Sequence, residues 1–170
     1  MLLRPAVPAD IPGVVALERL PAAVNFVGQW SEARHHATLA DPDARYLVSG
    51  SESGGLQAYA ILRGLGEGSG SLELKRVVVG APGQGLGRLI LEELLRMAFE
   101  EFGAHRLFLD VVEDNDRASR LYESLGFVRE GTMREAERRR DGYVSLHLMS
   151  MLDREYAAWR FTRSQPRPSL

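Results

Sequence analysis

Two apolar strands with a long amphipathic helix between them constrain the fold of this chain more than any other segment. The strands are predicted at Ser71–Val79 and at residues 105–112, "HRLFLDVV". Between them, apolar residues recur at helical spacing: Leu86, Ile90, Leu94, Met97 and Ala98. A strand–helix–strand unit joins its two strands in parallel through a right-handed crossover. The sequence therefore predicts a parallel strand pair inside the sheet.

The segments on either side of this unit predict short helices and antiparallel strands. They are, in chain order, an edge strand at 1–6, a helix at 8–20 with Asp10 as its N-cap, a helix at 31–39 capped by Ser31, two strands within 44–66, a helix at 113–126 and two long strands within 127–152. Asp141-Gly142 is a strong hairpin signal between the last two strands. The predicted fold class is mixed α/β (α+β), with a mostly antiparallel central sheet flanked by helices.

Length and composition bound the remaining classes. A chain of 170 residues suits one domain, which we assign to residues 1–160, with a loosely ordered tail at 161–170. The formal net charge of −2 predicts neither nucleic-acid nor membrane binding. The chain has no cysteine, which excludes disulfides, thiolate metal ligands and a cysteine nucleophile. The N-terminus has no long apolar stretch, and we expect a cytoplasmic protein.

A glycine-rich turn, "APGQGLGRLI" at 81–90, connects the strand Ser71–Val79 to the long amphipathic helix that follows it. Its spacing, Gly83-x-Gly85-x-Gly87, differs from the dinucleotide fingerprint, and it lacks the Gly-Lys-Ser/Thr of a phosphate-binding P-loop. A bare turn remains an alternative. The helix start presents unpaired N–H groups and a positive dipole end, and Arg88 adds a charge. An anion that contains a pyrophosphate therefore fits better than a neutral ligand.

Two sequence blocks resemble the GNAT acetyltransferase superfamily. The first, "VVVGAPGQGLGRLILEELL", is similar to the pyrophosphate-binding pattern Arg/Gln-x-x-Gly-x-Gly/Ala at a helix start. The second, "NDRASRLYESLGF", is similar to Asn-x-x-Ala-x-x-Leu-Tyr-x-x-x-Gly-Phe. The resemblance covers roughly residues 71–130, and the final hairpin looks like the branch of ribosomal-protein and polyamine N-acetyltransferases. Pro82 departs from the pattern because it offers no donor where the family has Arg or Gln.

The resemblance implies a GNAT-like fold with a splayed parallel strand pair and direct acetyl transfer from acetyl-CoA, the cosubstrate, to a primary amine of a small molecule or protein in a ternary complex. It implies no metal, and the four histidines show no metal-site spacing. The implied cofactor-binding residues are Val77, Val78, Val79, Gln84, Gly85, Leu86, Gly87, Arg88, Asn115 and Tyr122. Asn115 would pair with the pantetheine arm through its amide, and it is also a good helix N-cap.

Two residues are the implied catalytic pair. Tyr122 would donate a proton to the leaving CoA thiolate; its alternative is a core tyrosine on the apolar helix face. Glu73 would act as the base that deprotonates the amine, because a charged residue within an apolar strand needs a reason. Its alternative is a partner for Lys75 or Arg76.

The sequence does not identify the acceptor amine. Trp30, Glu32 and Arg34 fall in the region that covers the acceptor site in the family, whereas "REAERRRD" at 134–141 is interpreted as a solvated surface. The expected partners are acetyl-CoA and an amine acceptor, with no nucleic acid and no membrane, and a homodimer is left open. Two alternative functions are a non-catalytic acyl-CoA-binding regulatory domain on the same fold and a nucleotide-binding domain.

Overall fold

A seven-stranded sheet organises the fold in the computed structural model, which describes residues 2–51, 54–139 and 141–164. The strands are β1 (Arg4–Pro5), β2 (Ala44–Ser51), β3 (Gly55–Arg63), β4 (Ser71–Val79), β5 (Arg106–Val112), β6 (Val128–Arg139) and β7 (Gly142–Leu152). Their spatial order is β1-β2-β3-β4-β5-β7-β6. The β4–β5 pair is parallel and the other neighbouring pairs are antiparallel, which confirms the predicted mixed α/β class.

Five α-helices pack around this sheet. They are α1 (Ile11–Glu18), α2 (Glu32–Leu39), α3 (Leu86–Arg96), α4 (Asp116–Ser124) and α5 (Asp153–Ser164). A 3₁₀ turn at Pro8–Asp10 precedes α1, and a π-helical turn at Met97–Glu101 follows α3. Among the described helices, none combines the length and apolar character that crossing a membrane requires.

The helix caps follow the sequence with one exception. Ser31 accepts the Arg34 N–H at 3.2 Å and starts α2 as predicted. Asn115 accepts the Ala118 N–H at 3.2 Å at the start of α4. Asp10 precedes α1, but its carboxylate accepts the Val7 N–H at 2.8 Å and pairs with Arg4 instead of capping that helix.

The C-terminal helix α5 is the largest difference from the sequence prediction. Residues 161–164 belong to this helix, whereas the predicted loose tail began at 161; residues 165–170 lie outside the described part of the chain. The helix forms because the Tyr156 ring stacks between Phe99 and Trp159, at centroid distances of 4.8 and 5.9 Å. This burial links α5 to the π-helical turn after α3. It offsets the weak tendency of the α5 sequence to form a helix by itself.

Two apolar clusters cover opposite faces of the sheet. The larger one contains Ile90, Leu94, Leu109, Leu125 and Met149, and the smaller one contains Ile11, Val14, Val48, Tyr59 and Ile61. Consecutive residues of β3 therefore enter different clusters, and the run Ala58–Leu62 is fully buried. A strand with helices on both faces is expected to be apolar at every position.

The parallel strands separate soon after they meet. β4 and β5 pair at Ser71↔Arg106, Leu72↔Leu107 and Glu73↔Phe108, and not beyond. From there β4 pairs only with β3, and β5 only with β7. The edge of β4 at 74–79 and the edge of β5 at 109–112 therefore face each other across a gap. The backbone N–H and C=O groups on these two facing edges have no partner in the sheet. The predicted splayed pair is present, and this gap positions the site.

Candidate active site

A cavity of about 720 Å³ occupies the gap between the two parallel strands. Its walls come from the segment between α1 and α2, from β4, from the glycine turn and α3, from the end of β5 with α4, and from the β6–β7 hairpin. Backbone and side chains that lie far apart in sequence therefore meet here. We name its two ends by their residues: the glycine end (Gly83, Gly85, Gly87, Arg88, Asn115 and Arg117) and the tryptophan end (Trp30, Arg34, Arg76, Glu137 and Arg139).

The glycine end is built by the turn between β4 and α3. Gly85 is the N-cap of α3 and adopts the left-handed conformation with φ of 80°, which glycine tolerates without strain. The first N–H groups of α3 have no partner within the helix, and the helix dipole makes this end positive. Arg88 lines the same wall, and its guanidinium contacts Ser124 Oγ. The arrangement can hold an anion, although Pro82 contributes only apolar surface to it.

The cofactor-binding residues implied by the resemblance divide into two groups. Eight of them line the cavity: Val77, Val78, Val79, Gly85, Gly87, Arg88, Asn115 and Tyr122. Gln84 and Leu86 are not among the described residues that do so. They occupy the intervening positions of the turn, and Gln84 is exposed to solvent. Asn115 uses its side-chain oxygen for the α4 cap, which leaves its amide N–H groups for other partners.

Tyr122 and Asp110 both line the cavity and are close enough for the Asp110 charge to act on the Tyr122 hydroxyl. Tyr122 is 7% exposed, packs edge-on against Phe127 at 5.6 Å and lines the cavity wall. Burial raises the pKa of Tyr122, and the charge of Asp110 raises it further. Burial also raises the pKa of Asp110, although the nearby Lys75 charge partly opposes this. A protonated phenol and a carboxylate with raised proton affinity therefore share one space.

Glu73 does not belong to this group. It occupies the last β4 position that pairs with β5, and it is not among the described residues that line the cavity. Its carboxylate binds Lys75 Nζ at 3.0 Å. The two strands are still hydrogen-bonded at Glu73, so the cavity begins only beyond it. The structure therefore supports the alternative raised for Glu73, a salt-bridge partner of Lys75.

The tryptophan end rests on a buried polar network behind Arg76. The guanidinium of Arg76 binds Glu18 Oε1, donates to the Gly28 carbonyl at 2.6 Å and stacks 3.9 Å from the centre of the Trp30 ring. Glu18 also accepts from the Tyr59 hydroxyl at 2.5 Å and from the Trp30 N–H at 3.1 Å. Burial raises the pKa of Glu18, but His35, Tyr59 and Arg76 outweigh it and leave that pKa lowered.

The β6–β7 hairpin closes the tryptophan end from the opposite side. Arg139 pairs with Glu137 at 2.9 Å and donates to the Phe26 carbonyl at 3.4 Å. A methyl group placed on Gly28 would lie 3.1 Å from Glu137 Oε1 and 3.4 Å from Arg76 Nη2. The charged run predicted as solvated surface is therefore partly a cavity wall, because the hairpin is long enough to reach the segment after α1.

Sequence reasoning missed Asp110, Arg76 and the hairpin charges. Asp110 had a detectable signal, because it is the only charged residue between Leu107 and Val112 in an apolar strand. Arg76 had a weaker signal: it directly precedes three valines, but β4 also contains Glu73 and Lys75. The charged residues of the β6–β7 hairpin had no such signal, because a run of charges in a sequence looks the same whether it faces solvent or packs against another segment.

A metal centre is not apparent in the described part of the chain, where no three His, Asp or Glu side chains are grouped closely enough to hold an ion. The lining of the cavity offers carboxylates, a phenol, cations and backbone N–H groups.

Comparison with known proteins agrees with this architecture. Residues 16–127 match the model of the acetyltransferase (GNAT) family. N-alpha-acetyltransferase RimI of Mycobacterium tuberculosis is 38% identical over 116 residues, which cover 64% of this chain and 69% of that protein. Mycothiol acetyltransferase of Kineococcus radiotolerans is 35% identical over 78% of this chain, but this covers only 44% of that longer protein.

Solved structures show the same fold. Spermidine N-acetyltransferase from Vibrio cholerae, in complex with CoA and spermine, has a TM-score of 0.79 at 22% identity, with 91% of this chain and 96% of that chain covered. The ribosomal-protein-S18-alanine N-acetyltransferase from Escherichia coli has a TM-score of 0.73 at 25% identity, with 88% and 92% covered. The family match spans more than half of the chain, and the protein therefore belongs to the acetyltransferase (GNAT) family, whose members use acetyl-CoA.

Proposed function

We propose that this protein transfers the acetyl group of acetyl-CoA directly to a primary amine within a ternary complex. The observation that carries the proposal is the single cavity that joins an anion-binding helix start to a buried phenol and a carboxylate. Three of the four relatives named above are called N-acetyltransferases, which agrees with a nitrogen acceptor. We place the protein in the cytoplasm, with acetyl-CoA and the amine as its small-molecule partners.

The glycine end binds the pyrophosphate in this proposal. N–H groups at the start of α3 donate to its oxygens, and Arg88 and Arg117 add positive charge. The unpaired backbone edge of Val77–Val79 hydrogen-bonds the pantetheine arm as an added strand would, and the Asn115 amide supports it. Gln84 and Leu86 contribute through their backbone alone.

Asp110 and Tyr122 divide the proton transfers. An alkylammonium has a pKa near 10.4, so a base must remove its proton before the nitrogen attacks. Asp110 takes that proton, directly or through water, and its raised pKa makes it a better base than an ordinary aspartate. As the C–N bond forms and the C–S bond breaks, the Tyr122 hydroxyl gives its proton to the departing sulfur. The nitrogen loses its second proton to water, and the Tyr122 phenolate regains a proton from water, which leaves a neutral amide, the CoA thiol and a protonated Tyr122. The raised pKa keeps Tyr122 protonated at neutral pH. We thus assign the base role to Asp110 in place of Glu73.

Two matched pairs of variants test this assignment by CoA release from acetyl-CoA with a panel of primary amines. Asp110→Asn should lower kcat by about 10²-fold or more and remove the acidic limb of the pH–rate profile, while Glu73→Gln keeps both. Tyr122→Phe should lower kcat by about 10²-fold with a nearly unchanged KM for acetyl-CoA. Tyr143→Phe, at a residue 62% exposed on β7, is its control.

The opposite pattern would assign the chemistry elsewhere. Full activity in Asp110→Asn together with loss in Glu73→Gln would restore Glu73 as the base. Tight CoA binding without turnover of any amine would favour the non-catalytic acyl-CoA-binding domain.

A further inference from the structure

Most of the charged side chains at the tryptophan end, together with the nearby Lys75 and Asp110, form ion pairs, and two of them do not. Three cations there have carboxylate partners: Lys75 with Glu73, Arg76 with Glu18 and Arg139 with Glu137. Arg34 lines the cavity and has no carboxylate within 4 Å among the described residues. Asp110 likewise has no cation within 4 Å in that part of the chain. Arg34 and Asp110 therefore line the same cavity without a charged partner, and among the described arginines of the wall Arg117, at the glycine end, also lacks one.

Arg34 is held in place without being neutralised. Its guanidinium stacks 4.0 Å from the centre of the Trp30 ring. Stacking uses the flat face of the group and leaves the N–H donors at its edge available, in the fork geometry that fits a carboxylate. Trp30 is itself fixed from behind, through Arg76 and through its own N–H to Glu18.

The position of Arg34 in its helix is unfavourable for stability. It lies in the first turn of α2, three residues after the Ser31 cap, where the helix dipole favours an acidic residue. A cation there adds to the positive potential of the helix end. A ligand with a negative group would relieve this repulsion, whereas a polycation would increase it.

We propose that the amine acceptor carries a carboxylate, which Arg34 binds while the amine faces Asp110. This inference rests on the proposed acetyl transfer and narrows its substrate class to amino-acid-like amines or acidic peptides, as opposed to polyamines. The step adds no chemistry: Arg34 acts by charge and hydrogen bonding, and the C–N bond forms as described above.

The test compares acceptors that differ only in charge. One pair is 4-aminobutyrate and 4-aminobutanamide; the other is Ala-Gly-Glu-amide and Ala-Gly-Gln-amide; spermidine is added as the polycation. We expect kcat/KM to favour the carboxylate of at least one pair by about threefold to tenfold, with spermidine poorest. If the preference appears in the aminobutyrate pair, the acceptor is a small molecule; if it appears in the Ala-Gly-Glu pair, the acceptor is a peptide. Equal rates within both pairs, or a preference for spermidine, would overturn the inference.

Variants link the preference to Arg34. Arg34→Gln should reduce the carboxylate preference to about onefold, and Arg34→Lys should keep part of it. Arg120→Gln, at an exposed arginine outside the cavity wall, is the control and should keep the wild-type preference. A preference that survives in Arg34→Gln, or that falls equally in Arg120→Gln, would rule out Arg34 as the binding group.

A binding measurement separates this inference from the proposed function. With CoA present, 4-acetamidobutyrate or N-acetyl-Ala-Gly-Glu-amide should raise the melting temperature of the wild type but not of Arg34→Gln, whereas 4-acetamidobutanamide and N-acetyl-Ala-Gly-Gln-amide should raise neither. This readout requires no turnover. Absence of CoA release with every amine would contradict the acetyltransferase proposal, whereas absence of the carboxylate-dependent shift would contradict the role of Arg34.

Discussion

Glu18 and Arg76 stand 58 positions apart in the chain and form an ion pair in which the two side chains are 1% and 8% exposed. The pair joins the end of α1 to the middle of β4. Because Arg76 also stacks on Trp30, the pair fixes one wall of the cavity from inside the core. The buried carboxylate of Glu18 thus fixes the position of Trp30, through Arg76 and through the Trp30 N–H.

Removal of one partner should therefore affect both folding and activity. Glu18→Gln should lower the free energy of unfolding by about 3 kcal/mol, since it leaves the Arg76 charge buried without its carboxylate. The acceptor KM should rise because Trp30 loses its support. Denaturant unfolding and steady-state kinetics measure the two effects. Arg120→Ala, which breaks an exposed pair with Asp116, should change stability by less than about 0.5 kcal/mol. A similar loss in both variants would contradict the special role of the buried pair.

Gly85 and Gly103 offer a matched comparison of backbone strain with ligand binding. They have φ values of 80° and 63°, and a methyl group on either would have no other atom within 4 Å. Gly85→Ala and Gly103→Ala should each cost about 1 kcal/mol of stability. Only Gly85→Ala should raise the KM for acetyl-CoA, because only Gly85 lines the cavity. A normal KM in Gly85→Ala would exclude the glycine turn from cofactor binding.

Asp110 should make the folded protein less stable as the pH rises. Its pKa in the folded state lies above the ordinary aspartate value of 3.8, so the native state binds more protons than the unfolded state between the two values. Stability therefore falls as the pH rises through this window. Asp110→Asn should stabilise the folded protein slightly above this window and not at all below pH 3.8, and the gain stays small because the Asp110 side chain is also exposed to solvent. Thermal melts from pH 3 to 8 measure it, and equal stability at all pH values would contradict the prediction.

Tyr156 should stabilise the fold without contributing to the reaction. Its hydroxyl donates to Glu100 Oε1 at 2.5 Å, and its ring lies between Phe99 and Trp159. Tyr156→Phe should cost about 1 kcal/mol, and Tyr156→Ala about 3 kcal/mol, in denaturant unfolding. Both should keep kcat/KM at temperatures where they are folded. A loss of activity in Tyr156→Phe would show that α5 takes part in catalysis.

Most of the elements could be predicted because their signals are local. The apolar run of β4, the glycines at the start of α3 and the Ser31 and Asn115 caps act through neighbours within four residues in the chain. Helix α5 could not be predicted in this way, because its stability depends on Phe99, more than fifty positions upstream. The π-helical turn after Arg96 likewise has no local signal that we can identify.

The proposed base, Asp110 and not Glu73, could likewise not be selected from local sequence signals. Both are acids within apolar strands, and by sequence alone they are equivalent candidates. The distinction arises from the point at which β4 and β5 separate, which lies just after Glu73 and before Asp110 in the parallel register. Register is a relationship between strands, and neither strand encodes it alone.

The sequence by itself determined the family resemblance, the parallel strand pair and the glycine turn at the start of α3, and it offered Tyr122 as a candidate, since each depends on a short pattern of residues. Only the tertiary structure decided which charged side chains line the cavity and which of them neutralise each other. The physical reason is that Coulomb interactions and burial depend on distance in space. Glu18, Arg34, Arg76 and Asp110 come from four different elements that only the folded sheet brings together.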